Sequence, residues 1–221
     1  MICISDIIST ADLASINALI DPQNDQDGLL TTGQVSGQAS RDIKNNKQQF
    51  DGDALKYAEK LILKACCENP IIKNAIFAKH FTPMRIVRYG KDMYYGKHID
   101  NVINSGVRTD ISFTVFLSDP QDYEGGILRI YNNAHSQDVK LPAGSIILYP
   151  SDKIHEITPV TSGERNVVVG WIQSTIRSQP IRDILSDMAF VRDSLTEDTQ
   201  SDIYQKAMHS FNRLYRLNYE A

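Results

Sequence analysis

The sequence predicts a mainly β fold with flanking helices: a sandwich or barrel of short strands, in particular a jelly roll, followed by a C-terminal helical appendage. Three observations carry this. Between Ile76 and Gln173, eight short strand-like runs are punctuated by Gly and Pro turns. Helical periodicity appears before and after that region but not within it. The chain has 221 residues with 42% apolar content, enough for one sizeable core and a small appendage.

In chain order, Thr10-Ala11-Asp12 opens a helix to about Ile20, with Thr10 as N-cap and Leu13, Ile16, Leu19 and Ile20 as its apolar stripe. Residues 21–52 are polar and contain Gly28, Gly33, Gly37 and Gly52; they read as a long loop with at most one edge strand. Asp53–Glu68 is the clearest helix, with Leu55, Ala58, Leu61, Ile62 and Ala65 on one face and Asn69-Pro70 as its stop. The strands are expected at 84–90, 96–102, 109–117, 126–131, 137–141, 145–149, 153–158 and 166–173. Asp119-Pro120, Gly125-Gly126, Pro142-Ala143-Gly144, Tyr149-Pro150 and Ser162-Gly163 separate several of them. One helix follows through Ile181, Ile184, Leu185, Met188, Val191 and Leu195, and a second through Ile203, Met208, Phe211 and Leu214. The expected organisation is an N-terminal unit over 1–75, a β core over 76–175 and a helical unit over 176–221. The last is too small to hold a core alone and is expected to pack on the β core or to form a homodimer.

Bulk charge excludes little but favours no polyanion: the net charge is -4 and 23% of residues are charged, so no nucleic-acid partner is expected. Cys3, Cys66 and Cys67 give an odd count with no disulfide framework, which suits a reducing cytoplasm. The apolar start carries Asp6 and no basic n-region, so no signal peptide is expected, and no apolar run approaches a membrane span.

The chemistry concentrates in His98-Ile99-Asp100 and in His155, which begins a strand far downstream. Residues two apart on a strand share a face, so His98 and Asp100 can grip one metal while Ile99 turns into apolar packing. Two imidazoles and one carboxylate suit a non-haem Fe(II) oxygenase, because three further positions on the metal stay open. Arg165 stands ten residues past His155, after the Ser162-Gly163 turn. A hairpin there would bring its guanidinium beside the His155 strand, where it suits bidentate recognition of a carboxylate.

With these residues the chain resembles the Fe(II)/2-oxoglutarate dioxygenases of the prolyl 4-hydroxylase-like superfamily, and most closely the bacterial PKHD-type hydroxylases. The likeness covers most of residues 40 to 175. It rests on Arg88-Tyr89-Gly90, Tyr95-Gly96-Lys97-His98-Ile99-Asp100-Asn101, Arg108-Thr109-Asp110-Ile111-Ser112, Tyr123-Glu124-Gly125-Gly126, Leu148-Tyr149-Pro150-Ser151 and Trp171-Ile172-Gln173-Ser174, among other stretches. It implies a double-stranded β-helix (cupin-like) fold. It implies His98, Asp100 and His155 as iron ligands and catalytic centre, Arg165 on the distal carboxylate of 2-oxoglutarate, and Tyr89 against the same co-substrate. It also implies O2 as co-substrate, L-ascorbate as reductant, and hydroxylation of an unactivated C–H bond in a protein or small-molecule substrate, peptidyl proline being one candidate. Gln121-Asp122-Tyr123-Glu124 and residues 31–40 depart from the family pattern and border the expected substrate entrance.

Other chemistry-bearing residues read as ordinary. His80, His135 and His209 have no partner spacing; Trp171 reads as core sooner than as a substrate platform; Asn45 and Asn46 read as a surface turn slightly sooner than as an approach to the substrate from the long loop; Arg41, Lys44 and Lys47 read as a solvated face sooner than as a phosphate site. Two other functions share the expected β fold: a cupin-like metalloenzyme that needs no 2-oxoglutarate, and a non-catalytic jelly-roll binding module.

Overall fold

The computed structural model describes residues 1–31 and 42–220. Arg41 and the stretch around Gly33 and Gly37 therefore lie outside the described residues. Two antiparallel sheets enclose the centre of the protein. The larger has eight strands, in the order Ile2–Ile4, Ile146–Pro150, Ile111–Phe116, Arg165–Ser174, Arg85–Tyr89, Lys47–Gln49 and Gln26–Asp27, with Ala78–Phe81 also pairing on Arg165–Ser174. The smaller has five, in the order His135–Val139, Leu128–Asn132, His155–Ile157, Tyr94–His98 and Lys44–Asn45. This is the jelly-roll arrangement expected, with helices outside it.

Side-chain alternation explains why the large sheet is covered on both faces. Ile111, Phe113 and Val115 project outward, with Ile146 and Leu148, into a core shared with Leu55, Ala58 and Ile62 of the Asp53–Glu68 helix. Phe116, Ile147 and Tyr149 project inward and meet Leu128, Ile130 and Ile157 of the small sheet. A strand buried on both faces reads as a continuous run, as Ile111–Phe116 does, with all six residues buried.

The expected helices form with small changes. Thr10–Leu19 is capped by Ser9 rather than Thr10: the Ser9 hydroxyl accepts the Asp12 N–H at 3.2 Å. Asp53–Glu68 keeps its expected bounds. Asn69-Pro70 does more than stop that helix. The Asn69 side chain accepts the N–H groups of Ile71 and Ile72, and Pro70 takes the first position of a further helix, Pro70–Ile76, that the sequence reading passed over.

The expectation of a long loop with at most one edge strand over 21–52 is corrected: several short strands form there. Lys47–Gln49 pairs with Arg85–Tyr89 as an additional strand of the large sheet, and Lys44–Asn45 edges the small sheet against Tyr94 and Tyr95. Their side chains lack an apolar alternation because several face a polar cavity rather than a core. The strand expected at 96–102 spans Tyr94–His98, so Asp100 stands in the loop just beyond it and Ile99 is 55% exposed instead of packed. Arg165 does not sit in a hairpin with His155. Val160–Gly163 pairs with Tyr123–Gly125, and Arg165 begins the long central strand of the other sheet.

The C-terminal helices Gln179–Asp193 and Asp202–Asn218 pack on this same chain. Leu185, Ala189 and Phe211 bury Ile176 in a third cluster, joined by Phe77 and Tyr215. Ile184 and Val191, expected on the apolar stripe, are 48% and 51% exposed. Arg108 ties this unit to the sheet through Asp110, Glu220 and the Ser174 carbonyl.

Candidate active site

Cross-strand register makes the site. His98 and His155 are direct partners in the small sheet, and their ring centroids lie 4.2 Å apart. Each ring is oriented by backbone. His98 Nδ1 is 2.8 Å from the Gly96 carbonyl oxygen and His155 Nδ1 is 2.9 Å from that of Lys153. A carbonyl only accepts, so both Nδ1 atoms donate, and both Nε2 atoms are turned to the side where a metal would sit. The two Nε2 atoms lie 4.0 and 3.8 Å from the Asp100 carboxylate oxygens. Those separations are too long for hydrogen bonds and leave a gap that one ion fills; the three ligand atoms all lie within 4.8 Å of one another.

Burial, reinforced by the neighbouring His155, pushes His98 down to about 3, so its imidazole is neutral. Asp100 is held by the Ser112 hydroxyl, which donates to Oδ2 at 2.5 Å and lies 2.8 Å from the Ser151 hydroxyl. Tyr95 stacks on His98 at 3.5 Å. The donor set, the tautomers and the held carboxylate fit Fe(II).

Arg165 reaches the same cavity from the facing sheet. It is 1% exposed, and its Nε and Nη2 have no hydrogen-bond partner among the described residues. Its guanidinium carbon lies 5.2 Å from the Tyr89 ring and 5.5 Å from that of Phe116. A buried guanidinium with unmet donors is costly by itself and is suited to a bidentate carboxylate. Tyr89, its register partner, is buried and takes a hydrogen bond at 3.0 Å from Asn46 Nδ2 to its hydroxyl.

The cavity between the sheets measures about 800 Å³ and is lined by all five residues that the resemblance singled out: His98, Asp100, His155, Arg165 and Tyr89. It also corrects several ordinary readings. Lys44 and Asn46, each 3% exposed, line the cavity instead of a solvated face or a surface turn. Trp171 lines it too, stacked on Arg85 at 4.9 Å, rather than filling a core. Arg85, Gln48 and Ser112 were not singled out at all. Strand parity could have found two of the cavity residues: Arg85 shares a face with Tyr89, and Trp171 with Arg165. His80, His135 and His209 are exposed and away from the cavity, as expected.

Comparison with known proteins agrees with this geometry. The profile of the 2OG-Fe(II) oxygenase superfamily matches residues 84–173. Among solved structures, a Pseudomonas putida prolyl-4-hydroxylase superposes with a TM-score of 0.54 at 18% identity, over 78% of this chain and 91% of that one. A Trichoplax adhaerens prolyl hydroxylase, solved with a hypoxia inducible factor peptide, gives 0.58 at 19%, over 77% and 82%. These share the fold. Fold and profile together define a 2-oxoglutarate-dependent Fe(II) oxygenase.

Nearer relatives narrow the class. A PKHD-type hydroxylase of a Synechococcus species is 39% identical over 204 residues, 90% of this chain and 89% of its own length. One from a Picosynechococcus species is 36% identical over 217 residues, 96% and 97%. The chain belongs to the PKHD-type hydroxylase family. The cupin-like enzyme without 2-oxoglutarate and the non-catalytic binding module, both open on sequence alone, give way to this assignment.

Proposed function

We propose that this enzyme hydroxylates an unactivated C–H bond of a substrate seated beside His98, Asp100 and His155, with 2-oxoglutarate converted to succinate and CO2. One atom of O2 enters the substrate and the other enters succinate, so the reaction balances. The observation that supports this most is the convergence of two Nε2 atoms and a held carboxylate in one cavity with a buried guanidinium whose Nε and Nη2 have no hydrogen-bond partner among the described residues.

In this reading His98, Asp100 and His155 hold Fe(II), and Arg165 takes the distal carboxylate of 2-oxoglutarate with Tyr89 beside it. Bound iron would supply the activation of O2. The chain's own residues do the rest. Gly96 and Lys153 carbonyls hold the imidazole tautomers, and Ser112 fixes the Asp100 carboxylate. Arg165 neutralises the co-substrate in a site of low dielectric, and the walls of Val87, Leu128 and Ile157 exclude water. Ascorbate keeps the iron reduced between turnovers. Three free cysteines suit a reducing cytoplasm for the ferrous state. The substrate is a peptidyl residue such as proline or a small molecule.

The test is spectroscopic. Anaerobic protein mixed with Fe(II) and 2-oxoglutarate should develop a visible metal-to-ligand charge-transfer band, and air should then release succinate. Asp100→Ala should weaken iron binding. Arg165→Ala should retain iron and raise the 2-oxoglutarate concentration needed to develop the band. Folded, iron-loaded protein without the band overturns the proposal.

A further inference from the structure

The cavity has a second cationic end. Arg85 and Tyr89 lie on one strand with their side chains on the same wall, and Tyr89 is the register partner of Arg165. Four residues of strand separate Arg85 from that pair, about 13 Å. The Arg85 guanidinium carbon lies over two aromatic rings, 4.9 Å from Trp171 and 5.5 Å from Phe50. Lys44 comes from the facing sheet, its Nζ 4.7 Å from the centre of the Tyr95 ring that stacks on His98.

Neither cation has an anionic hydrogen-bond partner among the described residues. Lys44 Nζ donates to the Thr31 hydroxyl at 2.8 Å, and Arg85 Nη1 donates to the neutral Gln48 Oε1 at 3.5 Å. The buried atoms Arg85 Nε and Trp171 Nε1 have no partner among the described residues. The contrast within the molecule is sharp. Arg88, on the opposite face of the same strand, pairs with Asp25 at 2.6 Å and Glu164 at 2.9 Å, and Arg108 pairs with Asp110 at 2.8 Å. Asp100 acts on both cations, and Asp27 on Lys44, through space and without a hydrogen bond; burying two like charges without a bonded counter-ion is expensive unless a ligand brings the opposite charge. Arg165 is the other buried cavity cation among the described residues, Lys97 being exposed at the rim, and the proposed reaction already assigns its anion.

We propose that Lys44 and Arg85, with the Trp171 indole N–H, bind a carboxylate of the substrate itself. The substrate is then a small carboxylic acid, whose C–H to be hydroxylated lies between this end and the metal ligands. This rests on the proposed function for the reaction, but the site stands on its own geometry. A planar guanidinium presents a fork that takes a carboxylate bidentately; phosphate fits the same fork and is separated from it by the experiment below. Ile99 and Ile154, 55% and 45% exposed, line the cavity at its opening and suit an apolar body on that acid.

Trp171 is the sole tryptophan of the chain and lies against Arg85, so its fluorescence reports on this end of the cavity. The experiment titrates the metal-free full-length protein, saturated with 2-oxoglutarate, with butyrate, hexanoate, benzoate and phenylacetate, each paired with its neutral amide. At least one acid should give a saturable change that its amide does not. Lys44→Gln and Arg85→Gln should each weaken that acid by about ten- to a hundredfold, the loss of a charge-assisted hydrogen bond. Circular dichroism checks that the variants fold, and Lys44→Arg should restore binding where Lys44→Gln loses it. No saturable response to any acid, equal response to acid and amide, tighter binding of inorganic phosphate, or unchanged affinity in the folded variants overturns the proposal. The charge-transfer band with Fe(II) is read separately, so failure of the dioxygenase reading and failure of the carboxylate site give different results.

Discussion

At the residue scale, two of the most deeply buried cations, Lys44 and Arg165, face one cavity. Lys44 is 3% exposed, and burial, with Arg85 nearby, pushes it down to about 7 from the usual 10.5. The unfolded chain therefore holds this proton over a pH range in which the folded chain has lost it. Stability gains with rising pH between about 7 and 10.5, and the cost of the buried ammonium is fully present below that window. A shift of that size corresponds to at most about 5 kcal/mol. Lys44→Met should accordingly raise the melting temperature of metal-free protein most below pH 7, with the advantage shrinking towards pH 10. Thermal melts across that range check it, and an advantage that grows with pH contradicts the assignment. Ser112 acts through another residue. Its hydroxyl holds Asp100 at 2.5 Å, so Ser112→Ala should weaken Fe(II) binding by about ten- to a hundredfold while the fold melts nearly unchanged. Titration of Fe(II) under argon reads the effect. Of the residues in this site, those with a distinctive chemistry at a distinctive spacing were legible: His98, Asp100, His155 and Arg165. Lys44, Asn46 and Trp171 were misread because a lysine, an amide or an indole looks the same on a surface as in a cavity until the facing sheet is known.

At the scale of elements, boundaries follow local chemistry more closely than a pattern of breakers suggests. Asn69-Pro70 reads as a terminator, yet the Asn69 carboxamide oxygen accepts two N–H groups of the helix that follows. Asn69→Ala should cost about 1 kcal/mol, seen as a lower denaturant midpoint with an unchanged slope. A variant as stable as the parent would show that the cap contributes nothing. The strands tell a similar story. Ile111–Phe116 and Arg165–Ser174 were found because burial on both faces leaves a long apolar run. Lys44–Asn45 and Lys47–Gln49 were missed because polar cavity-facing residues erase the alternation that marks a strand. Their pairing partners, Tyr94 and Tyr95 on one side and Arg85–Tyr89 on the other, are distant in sequence and supply the order instead.

At the scale of the whole molecule, three apolar clusters hold the sheets, the outer helices and the C-terminal hairpin in register. The third cluster is small, and Phe211 is its central ring, 6.4 Å from Phe77 and 6.0 Å from Tyr215. Phe211→Ala should destabilise by roughly 3–5 kcal/mol. The cavity lies between the sheets, remote from this cluster, so the variant should keep its Fe(II) and 2-oxoglutarate band at low temperature. Loss of the band in still-folded protein would mean that the C-terminal hairpin reaches the metal ligands, and Arg108 is the route, since it bridges Glu220 to Asp110 on the approach to Ile111–Phe116.

The sequence by itself determined the class of fold and the helices that flank it, and it singled out His98, Asp100 and His155, which the fold brings within 4.8 Å of one another, because periodicity and the pairing of two imidazoles with a carboxylate are local or chemically rare signals. Only the tertiary structure decided that Arg165 approaches from the opposite sheet and that residues 44–49 are strands. It also decided that Lys44, Arg85 and Trp171 form a second charged end of the cavity. These depend on which strands pair across long stretches of chain and which face each side chain takes, and pairing between distant strands leaves no mark in the spacing of residues along the chain.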